Sequence, residues 1–207
     1  MPNKILVIAA IIILGLSGCG SNKPDKQIQT KNPAGNVQGN ENIPAITLHQ
    51  AALDGQSAVV VQLLSSGADI NKMDTEGRTA IMYASYNGHT DVVKELLKRG
   101  AEINIPDFNG RTALMFASSG PFPETVKLLL INRADPNIAD TEKHFTALMY
   151  AAAEGQNEIA KLLLEYKANS LIKDIDGNVA LTFALKNGHK EVAELLRSCN
   201  NNISRKE

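Results

Sequence analysis

The chain has 207 residues, 43% of them hydrophobic, enough for one folded domain with extensions and a core of its own. Its 21 Lys and Arg balance 22 Asp and Glu, which excludes the strong basic excess of a nucleic-acid binder. Aromatics are only 4% with no Trp, and two cysteines, Cys19 and Cys199, exclude a disulfide framework, so the core must be aliphatic and closely packed.

Lys4 precedes an apolar run of 12 residues, Ile5 to Leu16. That is too short to span a bilayer, which takes about 20 residues, and has the length of a signal-peptide core. The run ends in Leu16-Ser17-Gly18-Cys19, which resembles the lipobox of bacterial lipoproteins. The resemblance implies a signal peptide over 1–18 and acyl chains (palmitate or similar) on Cys19, which together hold a protein stably at a membrane. Gly20 stands where the inner-membrane retention signal of that class usually has Asp, implying the outer membrane of a bacterial cell envelope, facing the periplasm. Residues 20–44 are rich in Gly, Asn, Gln, Lys and Pro, with only Ile28, Val37 and Ile43 as larger apolar residues. Such a segment cannot offset its ordering entropy. With Cys19 it reads as a lipidated cysteine and flexible tether over 19–44, spanning about 25–30 Å as a coil.

From there the chain repeats itself. Asp74-Thr-Glu-Gly77-Arg-Thr79-Ala80-Ile81-Met82 returns 33 residues later as Asp107-Phe-Asn-Gly110-Arg-Thr112-Ala113-Leu114-Met115. It returns again at Asp140, with one inserted residue before Thr146-Ala147-Leu148-Met149, and once more at Asp174-Ile-Asp-Gly177-Asn-Val179-Ala180-Leu181. Leu63-Leu64, Leu96-Leu97, Leu129-Leu130 and Leu163-Leu164 keep step in each second half. A period near 33 with this content resembles the ankyrin repeat. The resemblance implies an all-α solenoid of about five helix-turn-helix units with β-turn fingers. The units run 45–73, 74–106, 107–139, 140–173 and 174–199, making an ankyrin-repeat domain over 45–199 with a polar tail at 200–207.

Local chemistry suits that plan. Thr79, Thr112 and Thr146 precede apolar helical runs, where a hydroxyl can accept a free helix amide. Thr47 with Gln50 suits a capping box at the first helix. Asp-x-x-Gly makes a turn. Gly67 and Gly100 follow second helices, but Arg133 and Lys167 take that place later, so both are expected in a left-handed conformation. The first and last units, which lack a finger or carry Arg197 in a leucine position, are expected to cap the stack with polar outer faces. Where the family usually has Thr-Pro-Leu-His, Ala replaces Pro and Met mostly replaces His, which implies looser fingers.

Nothing announces catalysis. His49, His89, His144 and His189 lie 33 or more residues apart and lack metal-ligand spacing. His49 occupies the family's structural histidine slot. No nucleophile triad or phosphate loop stands out, so no catalytic, cofactor-binding or metal site is expected and the chain is not read as an enzyme. Cys199 reads as a small apolar residue, and the row Asp74, Asp107, Asp140 and Asp174 as turn-makers. Two departures from the repeat, Pro121-Phe122-Pro123 and the insertion at Lys143-His144-Phe145, are either recognition features or loop drift.

The resemblance further implies a concave face of fingers and first helices that binds a protein. Carried onto this chain, the partner-binding residues are Arg78, Tyr86, Asn87, Phe108, Arg111, Phe145, Glu154, Ile175 and Lys186. Phe108 and Phe145 are expected as exposed fingertip anchors, since aromatics and Arg dominate interfaces. The leading expectation is a membrane-anchored module that captures a periplasmic or envelope protein, as regulator or immunity-like inhibitor, with no nucleic acid or small-molecule substrate. The other is a structural envelope lipoprotein that self-associates.

Overall fold

A computed structural model describes residues 46–204. The expected signal peptide over 1–18, Cys19 and the expected tether over 20–44 lie outside the described residues. Ten helices follow in five pairs: α1 Leu48–Leu53, α2 Ser57–Ser65, α3 Ala80–Tyr86, α4 Thr90–Lys98, α5 Ala113–Ser118, α6 Pro123–Ile131, α7 Ala147–Glu154, α8 Asn157–Glu165, α9 Ala180–Lys186 and α10 Lys190–Ser204. No strand occurs among the described residues, only an isolated bridge between Ala139 and Thr146. The last helix runs past Cys199 to Ser204, so the polar tail begins as helix.

First helices pack on first helices (α1 on α3, α3 on α5, α5 on α7, α7 on α9), and second helices on second helices. One aliphatic core threads the stack. Ala51, Ala84, Ala117, Ala151 and Ala184 are wholly buried, and their lack of bulk lets the first helices approach. Leu96, Leu129, Leu163 and Leu196, also wholly buried, fill the space between second helices.

The threonines cap less than expected. Thr146 Oγ accepts the Met149 amide at 3.4 Å, but Thr79 and Thr112 make no cap bond. The Met82 amide is taken instead by the Thr79 carbonyl at 3.1 Å. Half of the expected box forms at α1. Thr47 Oγ accepts the Gln50 amide at 3.1 Å, while the Gln50 side chain donates forward to Asp54.

Units are stitched at three levels. At the turn between paired helices, His89 Nε2 and Asn87 Nδ2 both meet the Leu53 carbonyl, at 2.9 and 2.8 Å. His189 and Asn187 repeat this on the Ala153 carbonyl. Gly55 and Gly88 sit there with φ of 69°, and close approach demands their bareness. A Cβ on Gly55 would lie 2.6 Å from the His89 ring, and one on Gly88 2.2 Å from the Phe122 ring. Phe122 thus occupies the histidine's place at the head of α6, so the Pro121-Phe122-Pro123 departure is a packing substitution. A second ladder, below the second helices, went unread in the sequence. Asn71, Asn104 and Asn137 lie 33 residues apart, and each side-chain oxygen accepts an amide of the next unit: Glu102 at 2.9 Å, Asp135 at 3.0 Å and Asn169 at 2.7 Å. The third level is the fingers.

Arg133 and Lys167 hold φ of 70° and 69°, where Gly67 and Gly100 hold 89°. A left-handed conformation costs a non-glycine residue about 1–2 kcal/mol. Arg133→Gly and Lys167→Gly are each expected to stabilise the fold by about 0.5–1 kcal/mol, part of the gain being lost to glycine's greater unfolded-state freedom. Urea melts measure this. Both changes neutral or harmful would show that the backbone there carries no strain.

Candidate functional site

Each finger is built on one aspartate. Asp74 Oδ1 accepts the amides of Glu76 (2.8 Å) and Arg78 (2.9 Å). Asp107 does the same for Asn109 and Arg111, and Asp174 for Asp176 and Asn178. In the longer finger of the fourth unit Asp140 Oδ1 takes the Lys143 amide at 2.7 Å. His144 there has φ of 58°, the place glycine fills elsewhere, so the insertion is absorbed without opening the finger.

The second carboxylate oxygen is satisfied in two ways. Where the first helix carries tyrosine, its hydroxyl donates: Tyr83 to Asp74 at 2.6 Å and Tyr150 to Asp140 at 3.0 Å. Where it carries Phe116 or Phe183, which have no hydroxyl, a finger side chain substitutes. Arg111 Nε donates to Asp107 Oδ2 at 2.9 Å, and Asn178 Nδ2 to Asp174 Oδ2 at 3.1 Å. The loss of the family histidine therefore does not loosen the fingers. Where histidine remains, His49 Nε2 meets the Lys72 carbonyl at 2.8 Å. The charges follow this geometry. Burial alone would raise the Asp74 carboxyl, but the bonds from Tyr83, Arg78 and Glu76 outweigh it and leave it below the usual carboxylate range. Burial, with the bond to Asp74, raises the Tyr83 hydroxyl, and burial with the Asp140 charge raises that of Tyr150 well above the ordinary tyrosine value. Both phenols stay protonated and keep donating.

Fingers also bond to one another through the backbone. Phe108 N donates to Glu76 O at 3.1 Å, Thr141 N to Asn109 O at 2.9 Å, and Ile175 N to Lys143 O at 3.2 Å.

On this frame the expected binding residues separate. Arg78, Arg111 and Tyr86 do gather, but around the buried Phe116 ring, which sequence reasoning passed over: 5.8 and 5.1 Å from the guanidinium carbons and 6.2 Å from the Tyr86 ring. Arg78 is paired with Glu76, and Arg111 with Asp107 at 2.8 Å; both side chains are mostly buried. They hold fingers, and their charge is already committed. Asn87 is committed to the Leu53 carbonyl. Phe145 is the plain correction. It is only 9% exposed, packed at 4.8 Å on Phe183 and 5.6 Å on Tyr150. Phe145 directly precedes the helix threonine, the place of Arg78, whose side chain lies back against the first helix, so it points to core.

Phe108 and Ile175 remain outward. They occupy the same place, directly after the finger aspartate, and are 69% and 61% exposed. Glu154 and Lys186 are exposed, and Lys186 Nζ reaches Asn178 at 3.2 Å. Leu185, 49% exposed, was missed. Its signal is that it stands where Ser85, Ser118 and Ala152 are small. Among the described residues no cluster of His, Cys, Asp or Glu is arranged to hold a metal, and no helix is long and apolar enough to cross a membrane.

Comparison with protein families finds the model for ankyrin repeats (3 copies) over residues 48–140 and again over 118–207. No curated protein matches the chain.

The two phenylalanines should separate in stability. Phe145→Ala, which empties a packed aromatic site, is expected to cost about 3 kcal/mol. Phe108→Ala is expected to change stability by no more than about 0.5 kcal/mol, as an exposed side chain does. Denaturant melts of both variants decide it, and equal effects would contradict this geometry.

Proposed function

The chain belongs to the ankyrin-repeat family, and on that premise we propose that it is a membrane-anchored module whose fingertips capture a protein partner in the cell envelope. Repeats of this family are generally protein–protein interaction modules and typically non-enzymatic. The observation that carries the reading is the pair Phe108 and Ile175. Large apolar side chains on alternate fingers, those of Asp107 and Asp174, stand exposed on a backbone that neighbouring fingers hold in place. Exposed, preorganised apolar anchors suit recognition, because little ordering entropy is lost when a partner covers them. Leu185, Lys186, Glu154 and Tyr86 extend the surface on the first helices. Arg78, Arg111, Asn87 and Phe145 support it from beneath. The anchor is the lipobox cysteine, Cys19, and the site it serves is the periplasmic face of a bacterial outer membrane. A regulator that masks a toxin or an envelope enzyme fits both features.

Partner capture should depend on the fingertips alone. Crosslinking in intact cells, with mass spectrometry of the captured protein, is expected to show recovery falling about tenfold for Phe108→Ala and for Ile175→Ala, the effect of a hot-spot side chain. Lys94→Glu and Lys161→Glu, on second helices, should capture normally. Full recovery by both fingertip variants would move recognition elsewhere.

The anchor has its own test. Metabolic labelling with a fatty-acid probe is expected to mark the wild type and to leave Cys19→Ser unlabelled. An unlabelled wild type would remove the anchor and leave the binding reading standing.

A further inference from the structure

Charge is divided unevenly between the two halves of each repeat. The fingers and first helices (46–56, 74–89, 107–122, 140–156 and 174–189) hold nine Asp and Glu against four Lys and Arg. The second helices with the loops that follow them (57–73, 90–106, 123–139, 157–173 and 190–204) hold ten against eleven. The four cations of the finger side are also turned inward. Arg78 and Arg111 lie over the Phe116 ring, Lys143 over Phe145 and Lys186 over Phe183, each within 6.0 Å of a ring centroid. All three rings are buried, and a ring face holds a cation electrostatically. The anions turn outward. Glu76, Glu142 and Asp176 stand in the same place, two residues after the finger aspartate, and all are exposed, as is Glu154 at the end of α7. Glu76 is paired with Arg78, but Glu142, Glu154 and Asp176 make no ion pair among the described residues.

These carboxylates flank the apolar anchors. The Phe108 amide bonds to the Glu76 carbonyl and the Ile175 amide to that of Lys143, the residue after Glu142, while Asp176 follows Ile175 directly. The Phe108 ring lies across the neighbouring finger, where a Cβ on Gly77 would come within 2.6 Å of it. On the fingertip reading, which this inference rests on, we propose that the partner's surface is basic, with Lys and Arg side chains set around the apolar residues that cover Phe108 and Ile175. Charge complementarity selects it. An acidic partner would bring like charges against these carboxylates, and the cations nearby are already held over rings. A neutral partner would strip water from the carboxylates without replacing it. Anionic lipid headgroups and nucleic-acid phosphates are repelled as an acidic protein is. A basic partner meets both the carboxylates and the apolar side chains, and the field of the finger side draws it in before contact.

Panning a library of random displayed peptides, each twelve residues long, on the detergent-solubilised full chain tests this. Such a peptide reaches about 40 Å when extended, enough to cross several fingers. Enriched peptides are expected to be net positive, with aromatic or aliphatic residues among Lys and Arg. The most enriched peptide, made synthetically, should bind the double variant Glu142→Lys with Asp176→Lys about tenfold more weakly than the wild type, or worse. Glu158→Lys with Glu194→Lys makes the same change of net charge at exposed places on second helices. It should leave affinity within about twofold, because charges beyond a Debye length of about 8 Å are screened in physiological salt. Unchanged melts show that the variants fold. Enriched peptides that are neutral or acidic overturn the proposal. So does a basic peptide that the two double variants weaken alike, which would reflect net charge only. A peptide that loses affinity on Phe108→Ala with Ile175→Ala, yet keeps it on Glu142→Lys with Asp176→Lys, removes the basic partner and leaves the fingertip reading standing. One that ignores Phe108→Ala with Ile175→Ala removes both.

Discussion

A buried carboxylate must have its lone pairs met, since a buried charge left unpaired costs several kcal/mol. Asp107, Asp140 and Asp174 are each less than a tenth exposed, and Asp74 is partly buried. Each meets the demand by folding the finger around itself. One oxygen takes finger amides and the other takes a side chain. Because the first helix supplies tyrosine in two units and phenylalanine in two, the second partner alternates between a helix hydroxyl and a finger side chain. The finger geometry survives the exchange, and with it the row of backbone bonds from finger to finger. Arg111 is diverted to this duty because Phe116 has no hydroxyl. An arginine expected to meet a partner is thereby held to its own finger.

Stability in such a stack is a sum over units and their junctions. Three kinds of bond run across junctions: finger amides, the asparagine ladder, and the histidine–asparagine pair on a helix-end carbonyl. The junctions differ. His89 and His189 bond to the unit before them, but Phe122 can only pack its ring on Gly88. The asparagine ladder stops at Leu171, which stands where a fourth asparagine would lie.

Fixed-period features were legible in the sequence. The repeat gave the fold, and comparison of equivalent places gave the left-handed Arg133 and Lys167, because a conformation set by the backbone is inherited by whatever residue stands there. The aspartates were rightly read as turn-makers. Whether a finger side chain turns outward was not legible. It depends on partners in the helix and in the next unit, which lie many residues away. Phe108 and Phe145 are both finger aromatics, but Phe108 follows the aspartate and stands outward, whereas Phe145 precedes the helix threonine and turns toward Phe183. Arg78 and Asn87 were mistaken for free polar groups because Phe116 and the Leu53 carbonyl, their actual neighbours, belong to other units. The Asn71–Asn104–Asn137 ladder was missed although its period is plain, since an asparagine in a loop usually satisfies only its own turn.

The claim on which the rest stands is that the finger aspartate, and not the helices beneath, holds the fingertip rigid. Native-state hydrogen exchange of the wild type and of Asp107→Ala measures it at the amides of Asn109, Arg111 and Phe108. These amides are predicted to be slow to exchange in the wild type and to lose at least tenfold of their protection in the variant, while the amides of α5 and α6 keep theirs. Finger amides that exchange as slowly without the carboxylate, or that were never protected, would contradict the account.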